Sequence, residues 1–151
     1  LIMVGGNDWS SAERWIEQSD TLKFLKDPAN NLAFEAHVYF DKDASGTYKY
    51  SYEEEECYPE KGIDRVKPFV EWIKQNKFHG FIGEYGIPDN DPRWNETLDL
   101  FLGYLQENGI NGTYWAAGPW WDTYFMAITP KDGKDRPQMP IIEKYTSTLK
   151  K

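Results

Sequence analysis

Residues 80–86 read GFIGEYG, a short apolar run that ends on a glutamate between two glycines. An apolar run of this length is typical of a buried β-strand. The two glycines favour an irregular turn directly after it. The stretch therefore predicts a strand that delivers one carboxylate to its end, and Glu84 is the first candidate for a catalytic residue.

Two further stretches end in polar or aromatic side chains in the same way. Residues 34–39 read FEAHVY, and strand alternation places His37 and Tyr39 on the same side of the strand as it ends. Residues 113–121 read TYWAAGPWW, which puts Trp115 at a third strand end. These three strands are thus predicted to carry a carboxylate, a His-x-Tyr pair and an aromatic wall.

The whole chain alternates strands with helices. Strands are predicted at 1–4, 32–38, 80–84 and 112–116, and helices at about 11–26, 62–75, 92–107 and from Pro140 onward. Repeated βα units with buried strands predict an α/β fold with a parallel sheet, and right-handed crossovers bring the ends of all strands to one face. Trp9, in the turn after the first strand, is expected at that face too.

Four βα units make half of a (β/α)8 barrel. A complete barrel has eight units and typically ~250 residues, whereas this chain has 151. In such barrels the carboxyl ends of the strands form the catalytic face. The candidate residues above all fall on that face.

The composition argues against several kinds of ligand. Acidic residues outnumber basic ones by 25 to 17, with a net charge of −8, which argues against a nucleic-acid partner. The aromatic share of 17% is typical of a groove for sugars, peptides or nucleobases, and the excess of acidic residues makes an uncharged ligand the better fit. No stretch reaches the ~20 apolar residues of a membrane span. One cysteine and two histidines give no sign of a disulfide framework or a metal site, and no cofactor is expected.

The strand-end stretches resemble the second half of a family 5 glycoside hydrolase. The resemblance runs through LAFEAHVYFDKDASGT at 32–47, GFIGEY at 80–85 and YWAAGPWW at 114–121, and the turn GNDW at 6–9 is similar to the one after that family's fifth strand. The loop at 41–47 and the run at 115–121 resemble the fungal and bacterial cellulase branch in particular. The resemblance implies that residues 1–151 form one domain, strands five to eight of the TIM barrel.

By this resemblance the complete enzyme is a retaining endo-β-1,4-glucanase. Such chemistry uses two carboxyl groups ~5 to 5.5 Å apart, one as nucleophile and one as general acid. Glu84 matches the nucleophile. His37 and Tyr39 match the pair that lines the site, where the Tyr hydroxyl can hydrogen-bond the nucleophile and help to keep it ionised. Trp115 matches the aromatic floor under the cleaved sugar.

The remaining tryptophans fall into two groups. Trp9 and Trp120 lie in loops at the predicted catalytic face and are candidates for stacking on sugar, with burial by neighbouring loops as the alternative for both and for Trp115. For Trp121 the same two alternatives stay open. Three more sit in helical patterns and are predicted to be core residues: Trp15, Trp72 and Trp94.

Two acidic stretches are interpreted without a metal. The run EEEE at 53–56 is predicted to be a solvated loop, because the alternating ligand pattern of a calcium loop is absent. The residues DKDASG at 41–46 do resemble part of such a loop, but the family resemblance accounts for them.

The family's general acid is missing from this sequence. That glutamate follows an Asn at the end of the fourth strand, a position that would precede Leu1. The one Asn-Glu pair here, at 95–96, lies in a predicted helix away from the catalytic face. We therefore expect the chain to supply the nucleophile alone, either as a fragment of a longer protein or as a half-barrel that acts with a second chain.

Several alternatives follow from the missing acid. The chain can be a non-catalytic half-barrel that binds polysaccharide or only self-assembles, and the substrate can be mannan or mixed-linkage β-glucan instead of cellulose. Half a barrel leaves two strand edges unpaired, which predicts a homodimer or pairing with a separate N-terminal half. Leu1 is not an initiator Met, so upstream residues are expected, and an extracellular location is implied by the resemblance alone.

Overall fold

A computed structural model describes residues 1–146 of the chain. Its sheet has four parallel strands in the order in which they occur along the chain. They are β1 (Ile2–Gly5), β2 (Leu32–His37), β3 (His79–Tyr85) and β4 (Asn111–Tyr114). The predicted strands and the predicted parallel sheet are therefore confirmed.

The helices lie between the strands and after the last one. They are α1 (Asn7–Ser10), α2 (Trp15–Ser19), α3 (Lys61–Asn76), α4 (Arg93–Glu107) and α5 (Met139–Tyr145), with 3-10 turns at Asp20–Phe24 and Pro119–Trp121. Helix α2 packs on α3, α3 on α4, and α4 on α5. The order is that of consecutive βα units, as the sequence predicts.

The first predicted helix, at 11–26, is wrong in its extent. The structure has the short α2 followed by a 3-10 turn, and α1 is itself irregular, with positive φ at Asp8 and Trp9. Ser11 forms an isolated bridge to His37, and the Ala12 N–H donates to the His37 carbonyl at 3.0 Å. Because these residues extend the sheet, a helix cannot begin at Ser11.

The core lies between the sheet and the helices. Phe34 of β2 packs edge-on against Trp72 of α3 at 4.9 Å, and Trp15 packs against Phe69 at 4.7 Å. Trp94 in α4 contacts Tyr52 at 4.7 Å. Trp15, Trp72 and Trp94 are at most 1% exposed, which confirms that they are core residues. The opposite side of the sheet, called the open face below, has no helix of the described residues packed against it.

The two outer strands have a free edge in the described part of the chain, since β1 pairs with β2 only and β4 pairs with β3 only. Apolar side chains are exposed near the β1 edge, with Ile2 51% and Met3 43% accessible. Phe24, in the 3-10 turn after α2, is 72% accessible.

No helix among residues 1–146 has the length and hydropathy needed to cross a membrane.

Candidate active site

A bulge in β3 turns Glu84 toward the open face. In β2 the consecutive residues Ala36 and His37 pair with Ile82 and Glu84, so β3 has one extra residue between these pairs. On the other side, Ile82 and Tyr85 pair with Gly112 and Tyr114, so two residues of β3 lie opposite one residue of β4. The Gly83 carbonyl released from the ladder accepts a hydrogen bond from the Thr113 hydroxyl at 2.6 Å.

The direction of the neighbouring side chains shows what the bulge does. Ile82 is fully buried in the core, and Tyr85 packs on Phe101 of α4 at 5.3 Å, so both point to the helix side. Strict alternation would send Glu84 to the helix side with Ile82. With the bulge, Gly83 and Glu84 both face the open side, which re-aims the carboxylate in the manner known for bulges beside active sites.

Two side chains from the end of β2 reach the Glu84 carboxylate. The Tyr39 hydroxyl donates to Glu84 Oε2 at 2.8 Å, and His37 Nδ1 lies 3.5 Å from the same oxygen. Burial, together with the hydrogen bond to Glu84, raises the pKa of Tyr39 far above its ordinary value. Tyr39 therefore stays protonated and remains a donor to the carboxylate.

Glu35 is a fourth member of this cluster that the sequence analysis missed. His37 Nε2 lies 2.7 Å from Glu35 Oε1, so the imidazole ring stands between two carboxylates. Burial lowers the pKa of His37, but the hydrogen bond and charge of Glu35, followed by the charge of Glu84, outweigh it and raise the pKa above its ordinary value. The sequence did contain a signal for Glu35. It is an acidic residue in an otherwise apolar strand, and strand alternation places it on the same face as His37, two positions later.

The long loop after β2 is tied to the sheet by Asp41. This carboxylate is fully buried and accepts hydrogen bonds from the backbone N–H groups of Gly46, Thr47 and Tyr48 at 2.9 to 3.2 Å. Tyr48 in turn donates to the Gly86 carbonyl at 2.6 Å. The residues that resemble a calcium loop thus form a turn that fixes the loop beside the end of β3.

The four-glutamate run is not entirely solvated. Glu55 is 3% exposed and accepts hydrogen bonds from the backbone N–H groups of Lys42 at 2.7 Å and Tyr50 at 2.9 Å. The prediction of a solvated loop is therefore wrong for this residue. Its carboxylate satisfies backbone donors that the loop would otherwise bury unpaired.

A cleft of about 400 Å³ opens beside Glu84 at the carboxyl ends of β1 to β3. Its other walls come from the loops after β1 and β2, and many of its side chains are charged or aromatic. They include Asp8, Trp9, Arg14, Asp43 and Arg65. Trp9 is 86% exposed, so its ring is free to contact a ligand.

Trp115 and Trp120 follow β4 and do not line that cleft. Trp115 is partly buried against Trp121, with ring centroids 5.0 Å apart, and its peptide bond to Ala116 is cis. Trp120 is 89% exposed. Among the tryptophans for which burial and stacking were both open, Trp121 packs against Trp115 and Tyr124, and Trp120 projects into solvent.

Within residues 1–146, no group of three or more His, Cys, Asp or Glu side chains is arranged to hold a metal ion. The chemistry open to the described residues is that of a carboxylate with a hydroxyl donor and a histidine beside it. A carboxylate so placed can act as a nucleophile or as a base.

Comparison with known proteins identifies the family. Residues 1–120 match the model of the cellulase family, glycosyl hydrolase family 5. The chain belongs to glycosyl hydrolase family 5. The resemblance inferred from the strand-end motifs is therefore confirmed.

Individual relatives in family 5 match nearly all of the chain. A probable endo-β-1,4-glucanase B of Aspergillus kawachii is 38% identical over 149 residues, which is 95% of this chain and 43% of the relative. Endoglucanase Cel5A of Pseudomonas stutzeri, solved in complex with cellobiose, superposes with a TM-score of 0.87 at 44% identity, covering 98% of this chain and 44% of that one.

An endo-β-1,4-glucanase of Xanthomonas axonopodis pv. citri gives a TM-score of 0.86 at 39% identity, covering 96% of this chain and 48% of that one. The chain thus spans less than half the length of these relatives. The four βα units agree in extent with half of their fold.

Proposed function

We propose that the chain is one domain, strands five to eight of a family 5 catalytic barrel, and that the complete barrel is a retaining endo-β-1,4-glucanase with Glu84 as nucleophile. The observation that carries the proposal is the bulge in β3, which aims Glu84 at the open face within 2.8 Å of the Tyr39 hydroxyl. Membership of a family whose relatives bear the name endoglucanase supports the choice of β-1,4-glucan.

The proposed mechanism starts from an ionised Glu84. Its free oxygen attacks the anomeric carbon of the bound sugar, the bond to the leaving sugar breaks, and a covalent glycosyl-enzyme forms that water then hydrolyses. Tyr39 donates to the other oxygen and holds the carboxylate in one orientation. We assign Trp115 to stacking under the cleaved sugar, and Trp9 and Trp120 to contacts farther along the glucan.

A general acid is not assigned within this chain. Asp8 lies 2.6 Å from the Arg14 guanidinium, and Asp41 is fully buried with its oxygens bound by the turn at 45–48. Glu96 lies on an exposed turn of α4. Asp8 and Asp41 are held by these partners, and Glu96 is exposed but lies on a helix away from the open face. We therefore propose that a second polypeptide segment supplies the acid.

Retention of the anomeric configuration can be tested in a complete barrel. A chimera would join this chain to the half of the Pseudomonas stutzeri endoglucanase that it does not match; at 44% identity the two halves should fit. We expect it to release reducing sugar from carboxymethylcellulose. NMR of the first product released from a cello-oligosaccharide should show the β-anomer, because the configuration at the anomeric carbon is retained. An α-anomer as first product would contradict a covalent intermediate on Glu84.

We also propose that the free edges of the sheet pair, with a second copy of the chain or with an N-terminal half. Open strand edges are templates for pairing, and Met3 lies on the open face of β1 while being 43% exposed. In a homodimer two copies would supply eight strands, and two Glu84 side chains would face each other across the barrel. Their separation would then be set by the symmetry of the dimer.

Sedimentation measures this association. We expect a dimer at micromolar concentration, and Met3→Lys should weaken it about tenfold or more, since a charge would enter the apolar layer between the halves. Leu100→Lys is the matched control, because Leu100 is similarly exposed at 39% but lies on α4. A stable, folded monomer at that concentration would show that the edges do not drive association.

A second candidate function is polysaccharide binding without catalysis, acting outside the cell as the family resemblance implies. It is favoured by Trp9 and Trp120, whose side chains are 86% and 89% exposed on the loops at the carboxyl ends of the strands. Mannan and mixed-linkage β-glucan remain alternative substrates. The rates at which the chimera hydrolyses cellulose, mannan and mixed-linkage β-glucan would show which of the three is its substrate.

A further inference from the structure

Glu35 fills a slot between two glycines on the open face of the sheet. It pairs in register with Gly5 of β1, and Gly83 of β3 lies on its other side. A Cβ atom at Gly83 would lie 1.7 Å from Glu35 Oε1 and 2.6 Å from its Cδ, and one at Gly5 would lie 3.5 Å from Oε2. The absence of a side chain at Gly83 is therefore what gives the Glu35 carboxylate its place.

From this slot Glu35 reaches only one side of the His37 ring. Its Oε1 lies 2.7 Å from Nε2, while Nδ1 on the far side of the ring lies 3.5 Å from Glu84 Oε2. A neutral imidazole has one N–H and can donate to one carboxylate, whereas the charged form donates to both. The spacing thus matches an imidazolium with a carboxylate at each nitrogen.

The other charged groups near His37 do not compete for it. The cleft contains two ion pairs from the loops and helices around it, Asp8 with Arg14 at 2.6 Å and Glu13 with Arg65 at 3.1 Å. Asp43 accepts from the backbone N–H of Ser45 at 3.1 Å. The pKa of His37 is lowered by burial but raised more strongly by Glu35 and then Glu84, so that it ends above the ordinary value.

We propose that Glu35 is a positioning residue that holds His37 in its charged form with Nδ1 beside the Glu84 carboxylate. The slot made by Gly83 fixes Glu35, Glu35 fixes the ring, and the ring places a positive charge beside the carboxylate that lies at the end of β3. The catalytic consequence rests on the proposed role of Glu84 as nucleophile. The charge state of His37 does not depend on whether Glu84 is the nucleophile.

The test is a pH titration of the two histidines by NMR in the 151-residue chain. With 15N-labelled histidine only two sets of ring signals arise, from His37 and His79, and His79→Gln assigns them. At pH 6.5 more than half of His37 should carry protons on both nitrogens. A His37 that is mainly neutral at this pH in the parent chain would overturn the proposal without any variant.

The decisive variant is Glu35→Gln, which keeps the size and a hydrogen-bond acceptor but removes the charge. We expect the titration midpoint of His37 to fall by about one pH unit or more, since a charged partner at hydrogen-bond distance is lost. The matched control is Glu17→Gln, which removes an exposed carboxylate from α2 and should leave the midpoint in place. A folded Glu35→Gln chain with the parental midpoint would refute the role of Glu35.

A second variant tests the slot through a different residue. Gly83→Ala should displace Glu35 and lower the His37 midpoint in the parent chain, but should add little in a Glu35→Gln background, because the charge is already gone. Equal effects in both backgrounds would show that Gly83 acts on His37 independently of Glu35. Neither measurement depends on hydrolysis, so a failure of Glu84 as nucleophile would be seen separately in the chimera.

The same interaction should appear in the pH dependence of stability. Because the folded state raises the pKa of His37, its contribution is fully present below the ordinary value of ~6.5 and is lost as the pH rises through the higher folded value. The free energy of unfolding of the parent should therefore fall across this window relative to that of Glu35→Gln. If the free energy of unfolding changed with pH in the same way for the two proteins, the proposal would be contradicted.

Discussion

Replacing Glu84 with Gln should lower the hydrolysis of β-glucan by the chimeric barrel by about 10⁴-fold or more, the scale seen when an enzyme loses its nucleophile. The amide keeps the size of the side chain but cannot form the glycosyl ester. Because binding contacts remain, the loss should fall on kcat, with KM little changed. Initial rates on a cello-oligosaccharide with a chromogenic leaving group measure both constants.

Glu96→Gln is the matched control for this variant. Glu96 has the same chemistry but is exposed on α4, away from the open face. We expect it to retain parental activity. If the Glu84→Gln barrel is folded by circular dichroism and still turns over at the parental rate, another group is the nucleophile.

Taken alone, the 151-residue chain should bind cello-oligosaccharide weakly and hydrolyse it negligibly. General acid catalysis typically contributes ~10² to 10⁴ in rate, and the other half of the proposed barrel would also supply substrate-positioning residues, so the rate of the chain alone should fall below that of the chimera by more than this range. Stacking on exposed aromatic rings such as Trp9 can persist without the acid.

Tryptophan fluorescence during a titration with cellotetraose, followed by a hydrolysis assay on the same sample, measures binding and turnover together. A fluorescence change without cleavage is the expected result, and Trp9→Ala should reduce it. Turnover comparable to that of the chimera would mean that a carboxylate such as Asp8 leaves its partner Arg14 and acts as the acid.

The sequence predicts the sheet well because each strand is locally encoded. Apolar runs bounded by glycine, proline and polar residues set β2 and β3 to within a few residues, and the helices between them force parallel pairing. The failed helix at 11–26 shows the limit. There the helical pattern is overridden by the bridge between Ser11 and His37 and by the hydrogen bond from the Ala12 N–H to the His37 carbonyl, which only the folded sheet provides.

The candidate site is predictable in part for a similar reason. Glu84, His37 and Tyr39 stand at strand ends, where topology alone brings side chains together. The bulge that turns Glu84 toward the open face depends on both neighbouring strands, and the slot for Glu35 depends on Gly83 across the sheet. Glu55 is buried for the same kind of reason, since the backbone donors that it satisfies become its neighbours only when the loop folds.

The central claim is that Glu84 attacks the sugar, and covalent trapping tests it most directly. The chimeric barrel would be incubated with an activated 2-fluoro-cellobioside, digested and analysed by mass spectrometry, with the Glu84→Gln barrel treated in parallel. We expect one glycosyl adduct in the parent, on the peptide that contains Glu84, and none in the variant. An active parent barrel that carries the adduct on a different carboxylate, or an adduct that persists in the Glu84→Gln barrel, would contradict the account.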